Sequence, residues 1–193
     1  MSRINSERFY KNALKKHGIT PKGLCWIDGS RQQLRFEVLE SLLPQELSEV
    51  SIVDAGCGFG DFYHFLAKKN KLPKKYIGID AVEEMCHITA KQTSQSVIHA
   101  NILRHEIPTS DYYVCSGAMN ILTRKETLCF IRKCYEASHK GFIFNVLYGN
   151  HESKFYNYLN KNALYEIAKE LGVKELRLRD DYIENDITMG FFK

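Results

Sequence analysis

Hydrophobic and polar positions change their period near residue 50. Before it, apolar residues recur at helical spacing. Phe9, Ala13 and Leu14 share one face of a segment over 3–17, and Gly18 is a natural stop behind it. A loop through Thr20-Pro21-Lys22-Gly23 leads to Trp26. Ser30 with Gln33 reads as a capping box opening a second helix, in which Leu34, Val38 and Leu42 recur until Pro44.

Beyond residue 50, short β-rich apolar runs alternate with helical stretches, as in a parallel sheet covered by helices on both faces. Strands are expected near 50–55, 76–80, 96–100, 112–117 and 140–147, and helices near 61–69, 82–92, 123–138 and 153–171. Thr123 and Glu126 form a second capping box, and Leu128, Ile131, Cys134 and Tyr135 give the stripe of the helix behind it. The tail offers two strands, 173–179 and 187–192, joined by an acidic turn short enough for an antiparallel pair. The expected fold class is α/β: a doubly wound, mostly parallel seven-stranded sheet with a final antiparallel strand. Residues 1–193 form one domain in this reading, with a helical cover over 1–45 and a Rossmann-like core over 50–193.

Composition narrows the picture. With 44% hydrophobic and 26% charged residues in 193, the chain has ordinary globular usage and enough length for one core. The net charge of +4 is modest, and the densest basic run, Lys68 to Lys75, reads as a solvated loop, so nucleic acid is not indicated as a partner. The apolar runs at 112–121 and 140–147 are far shorter than the roughly 20 residues of a membrane helix. No apolar stretch follows the basic N-terminal residues, so no secretory signal is expected. Six cysteines without CxxC spacing read as reduced thiols, which argues for the cytoplasm and against a metal site.

The chemistry concentrates where the first strand of this alternating region ends. Asp54-Ala55-Gly56-Cys57-Gly58-Phe59-Gly60 runs straight into helical sequence, and its glycines let the backbone approach a ligand closely. Asp54 is the discriminating residue. A carboxylate just ahead of the first glycine opposes a pyrophosphate, whereas S-adenosylmethionine presents a sulfonium and an ammonium. Asp80 closes the next strand, where a carboxylate accepts hydrogen bonds from ribose hydroxyls; the other reading of Asp80 is a helix N-cap.

Asp54-x-Gly56-x-Gly58-x-Gly60 and Ile79-Asp80 resemble the first two motifs of the class I, Rossmann-like S-adenosylmethionine-dependent methyltransferases, and the inferred strand order over 50–193 resembles their fold. More narrowly, the pattern looks like a group of small bacterial members without assigned substrates. The resemblance implies that Gly56 and Gly58, with Gly60 behind them, pass under the methionine part of the cofactor, and that Asp80, beside Ala81, holds the ribose. It places Asn101 and Ile102 at the adenine edge, where family members frequently carry Asp. Ser116, Gly117 and Asn120 would stand where cofactor and acceptor meet, with Asn120 the one candidate for a catalytic role. The helices of 1–45 are expected to act as a lid, Arg35 pairing with the cofactor carboxylate and Trp26 walling the pocket; simple packing and a surface cation are the other readings. His99 is expected to be buried.

Methyl transfer is an in-line displacement, so alignment and water exclusion can suffice without a dedicated base. The chain lacks the Asn/Asp-Pro-Pro-Tyr run of DNA and protein-glutamine amino-methyltransferases after the fourth strand, which disfavours that mode of acceptor stacking and leaves a small molecule as the leading acceptor. Two other functions compete: a catalytically silent S-adenosylmethionine-binding module and a nicotinamide-dependent oxidoreductase.

Overall fold

The computed structural model describes residues 5–25 and 29–193. Its strands are β1 (Ser51–Ala55), β2 (Lys75–Asp80), β3 (Ser96–His99), β4 (Ser110–Ser116), β5 (Ser138–Leu147), β6 (Glu175–Arg179) and β7 (Asp186–Phe192). They form one sheet in the order β3-β2-β1-β4-β5-β7-β6. β1 to β5 pair in parallel, and β7 runs antiparallel to both β5 and β6. The helices are α1 (Ser6–His17), α2 (Gly29–Leu42), α3 (Asp61–Lys68), α4 (Glu83–Thr93), α5 (Arg124–Ala137) and α6 (Lys161–Glu170).

Alternation along the central strands feeds two cores, one on each face of the sheet. On β4, Tyr113 and Cys115 face one core while Tyr112 and Val114 face the other, and on β5 Phe142 and Phe144 oppose Ile143 in the same way. α5 and α6 cover the first face with Ile131, Cys134, Leu164 and Ile167. α2 and α3 cover the second with Phe36, Leu39, Phe62 and Phe65, where the Phe36 and Phe62 rings meet edge-on at 5.3 Å. The predicted box at α5 forms: Thr123 Oγ1 accepts from the Glu126 backbone at 3.3 Å, and Glu126 Oε2 accepts from the Thr123 backbone at 3.0 Å.

Several elements differ from the sequence expectation. The helix expected over 153–171 begins only at Lys161, because Asn160 Oδ1 caps it by accepting from Asn162 N at 2.8 Å. The twelve residues before that cap form a loop whose Leu159 is bridged to Tyr148 beyond β5. α2 already includes Gly29, so Ser30 stands inside the helix rather than at its cap, and Gln33 Nε2 donates to Glu37 instead. The buried face of α2 is also rotated: Leu34 is 39% exposed, while Gln32, Arg35, Phe36 and Leu39 point inward. The loop after α1 contains a 3₁₀ turn at Pro21–Leu24. β7 lies inside the sheet, buried along its whole length, and β6 takes the edge with exposed residues alternating.

Topology now fixes where a ligand can sit. From β1 the chain proceeds outward through β2 and β3, then crosses back to place β4 on the other side of β1. Helices leave β1 and β4 in opposite directions, so a crevice opens at the C-terminal ends of these two strands.

Candidate active site

A cavity of about 360 Å³ occupies that crevice. Its floor is the glycine loop. Gly56 N and Cys57 N both donate to Ile79 O, at 2.7 and 3.1 Å, tying the loop to β2. Gly56 has φ +88°, and a Cβ there would lie 2.3 Å from the Ala118 Cβ, so backbone freedom and close approach both require glycine. Gly58 also lines the cavity, but Gly60 does not: it faces Thr89 and Thr93 of α4 and serves the packing of α3 onto its neighbour.

Asp54 reaches the cavity from β1 and is almost wholly buried, its Oδ2 accepting the Tyr76 hydroxyl at 2.6 Å. Burial pushes its carboxyl up to about 7; the Tyr76 hydrogen bond opposes the rise, and the nearby Asp80 and Asp61 charges add to it. Asp80 closes β2 with Oδ2 accepting from Gly58 N at 3.0 Å and Oδ1 from Val82 N at 2.9 Å. Burial raises this carboxyl to about 6, against the pull of those two backbone donors. The N-cap position of α4 belongs to Val82, so Asp80 binds two backbone segments together and faces the cavity rather than capping that helix.

The end of β3 contributes Asn101 and Ile102, with Ala81 beside them. Asn101 is held on every side. Its Oδ1 accepts from Leu103 N, its backbone donates to His105 Nδ1, and its Nδ2 donates to Glu7 Oε1 at 3.0 Å. His99, expected to be buried, is exposed on this edge strand, with Nε2 3.2 Å from Ala81 O. At the end of β4, Ser116, Gly117 and Asn120 line the cavity. Asn145 on β5 organises this corner: its Oδ1 accepts from Gly117 N at 3.0 Å, and its Nδ2 donates to Ser116 Oγ at 3.3 Å. Asn120 Oδ1 is the buried side-chain polar atom without a hydrogen-bond partner among the described residues.

Arg35 does line the cavity, but Asp186 at the start of β7 takes its Nε at 2.6 Å and its guanidinium in a buried ion pair. The Tyr182 hydroxyl donates to the other Asp186 oxygen at 2.6 Å. Arg35 thus ties α2 to the far end of the sheet instead of waiting for a carboxylate ligand. Trp26 lies outside the described residues.

Sequence reading missed a ring of side chains supplied by remote segments. α1 contributes Glu7, Phe9 and Tyr10, and the loop before α6 contributes Tyr156 and Tyr158. Burial, with Cys25 and Asp80 nearby, drives the Tyr10 phenol well above its ordinary range, so it remains a neutral donor. The Asn157 backbone donates to Asn120 O at 2.7 Å, which brings both loop tyrosines against the end of β4. Four carboxylates of the lining besides Asp80, those of Glu7, Asp54, Asp61 and Glu184, face two guanidinia, of which Arg35 is neutralised by Asp186. Such a lining suits a ligand carrying positive charge, and the bare glycine loop suits one that lies flat on backbone.

Known proteins match the chain in domain and in fold. A family model described as a methyltransferase domain matches residues 52–141. No curated protein matches the sequence. Among solved structures, the chain superposes on the S-adenosylmethionine-bound magnesium protoporphyrin IX methyltransferase of Synechocystis with a TM-score of 0.75 and 12% identity, covering 100% of this chain and 99% of that one. A possible histamine N-methyltransferase from Thermotoga maritima matches at 0.69 and 13% identity, over 97% and 99% of the two chains. An S-adenosylmethionine-dependent methyltransferase from Mesorhizobium loti matches at 0.67 and 14% identity, over 83% and 98%. At such identities the superpositions show the fold, and the domain match adds the activity. A methyltransferase domain over 52–141 on the fold of the class I methyltransferases supports methyl transfer from S-adenosylmethionine.

Proposed function

We propose that the protein methylates a small molecule bound between the end of β4 and the loop that precedes α6, in the cytoplasm and as one domain whose first 45 residues cover the core. S-adenosylmethionine supplies a methyl group on a sulfonium, ready for in-line attack. The glycine loop, Gly56 and Gly58, underlies its methionine part. Asp80 accepts from the ribose hydroxyls, with Ala81 adjacent, and Asn101 and Ile102 border the adenine. Ser116 and Gly117 flank the transferring methyl. Gly60 acts on the loop's shape rather than by contact. Arg35 holds α2 closed over the site through Asp186.

The observation that carries the acceptor reading is that α1, α2 and the loop tyrosines wall a cavity of about 360 Å³, a size that suits a small molecule. Asn120 carries a carbonyl oxygen without a partner, and the terminal torsion of an Asn side chain is soft enough to turn that oxygen toward an acceptor N–H or O–H. Tyr156 and Tyr158 give the aromatic surface on which such an acceptor would rest. An Asn cannot take a proton at neutral pH, so its role is to orient the nucleophile. For the compartment, every described cysteine is a free thiol, and no described helix is long and apolar enough to cross a membrane.

Calorimetric titration with S-adenosylhomocysteine tests the cofactor contacts. Asp80→Ala is expected to weaken binding about a hundredfold, as loss of hydrogen bonds to a charged group implies. A screen of small-molecule pools against total cellular protein and RNA, with methyl-labelled donor, then tests the acceptor class; label appearing only in macromolecules would overturn the small-molecule reading.

A further inference from the structure

The adenine end of the cavity contains a carboxylate that no strand supplies. Glu7 stands in the first turn of α1, and its Oε1 accepts from Asn101 Nδ2 at 3.0 Å. Asn101 already commits its Oδ1 to the Leu103 amide and one of its two Nδ2 hydrogens to Glu7. The second Glu7 oxygen remains, beside Asn101 and against the cavity lined by Ala81, Val82 and Ile102.

We infer that Glu7 is the residue that selects adenine, its Oε2 accepting one hydrogen of the exocyclic amino group, and that this contact fastens α1 over the cofactor. The inference rests on the assignment of this end of the cavity to the cofactor's base. Its logic is one of polarity. An aminopurine presents a donor at its 6-position, which a carboxylate accepts; a 6-oxopurine presents a carbonyl oxygen, which a carboxylate repels. Asn101 acts as a positioning residue, because its amide fixes the Glu7 carboxylate in place.

α1 is built to be held this way. It buries no residue completely, and among the described residues its Tyr10 and Leu14 pack against the small cluster of Phe59, Val82 and Met85. Beyond that it has the surface pair of Lys11 with Glu84 at 2.6 Å and the Glu7–Asn101 hydrogen bond. That ion pair is exposed to solvent and holds the helix only weakly, so a base that adds a hydrogen bond to Glu7 changes the seating of this helix appreciably.

The test compares S-adenosylhomocysteine with S-inosylhomocysteine, its 6-oxo analogue, by calorimetry on the wild type, Glu7→Gln and Glu84→Gln. The wild type is expected to prefer the adenine compound at least tenfold. Glu7→Gln replaces one acceptor oxygen by a donor that can meet the 6-oxo group, so the preference should collapse toward unity. Glu84→Gln breaks the Lys11 pair outside the cavity and should leave the preference intact. An unchanged preference in Glu7→Gln, or an equal loss in Glu84→Gln, would overturn the inference. Failure of S-adenosylhomocysteine to bind the wild type would instead remove the cofactor assignment beneath it.

Discussion

The two halves of the cavity are built by different means. The half over β1 and β2 is backbone: a glycine loop hydrogen-bonded to Ile79, with Asp80 clamping the loop amide of Gly58 and the turn amide of Val82. The half over β4 and β5 is side chain: Asn145 shapes the Ser116-Gly117 turn, Asn120 keeps an unpartnered oxygen, and two tyrosines arrive on a loop. A backbone floor is indifferent to most substitutions nearby and intolerant of any Cβ on it. Side chains on a loop can be exchanged one at a time without disturbing the fold. In the function proposed above, the methyl donor lies on the backbone half and the acceptor meets the adjustable half.

That contrast can be broken or sharpened experimentally. The largest effect is expected from Asp54→Asn. In the folded chain the Asp54 carboxyl titrates at about 7, above the ordinary value near 3.8, so it keeps a proton that the unfolded chain releases. Its contribution to stability is thus present at low pH and lost as pH rises through 7. Asn removes that burden, and denaturant melts at pH 8 should show the variant more stable by roughly 2–4 kcal/mol, with weaker binding of the cationic donor. A variant less stable than wild type at pH 8 would mean that the ionised Asp54 carboxylate is well compensated in the fold.

Glycine substitutions separate floor from frame. Gly56→Ala and Gly60→Ala each place a side chain at positive φ, costing about 1–3 kcal/mol of stability by thermal melts. Gly56→Ala should also abolish cofactor binding, whereas Gly60→Ala, outside the cavity, should leave the dissociation constant within about threefold at temperatures where the fold survives, a change below 1 kcal/mol. Equal losses of binding would erase the distinction. On the opposite half, Tyr158→Ala should raise the acceptor KM about tenfold, as removal of an aromatic contact predicts, with S-adenosylhomocysteine binding unchanged. The smallest effect belongs to Thr123→Ala, which removes the cap of α5 behind the cavity and should cost about 1 kcal/mol with no change in either affinity.

Much of the backbone half was legible in the sequence because it is local. Asp54 through Gly60 is one uninterrupted segment, and Asp80 ends the neighbouring strand, so spacing alone brings them together once the sheet is parallel. Gly60 shows where that reading stops: the same motif letter packs against Thr89 and Thr93, a partner the spacing cannot name. The other half depends on contacts between distant segments. Glu7 meets Asn101 across 94 positions and Arg35 meets Asp186 across 151, and no periodicity encodes either pairing. Leu34 and His99 misled for a related reason, since which face of α2 is covered and which strand lies at the sheet edge are settled by neighbours.

What the sequence determined by itself was the succession of strands and helices and the glycine-acid signature, because hydrophobic period and turn chemistry act over a few residues. Tertiary structure decided the rest: the insertion of β7 between β5 and β6, the capture of Arg35 by Asp186, and the lining of the cavity by α1 and the tyrosine loop. These are outcomes of competition among distant surfaces for burial and among distant polar groups for partners, and such a competition is resolved only when the whole chain is folded.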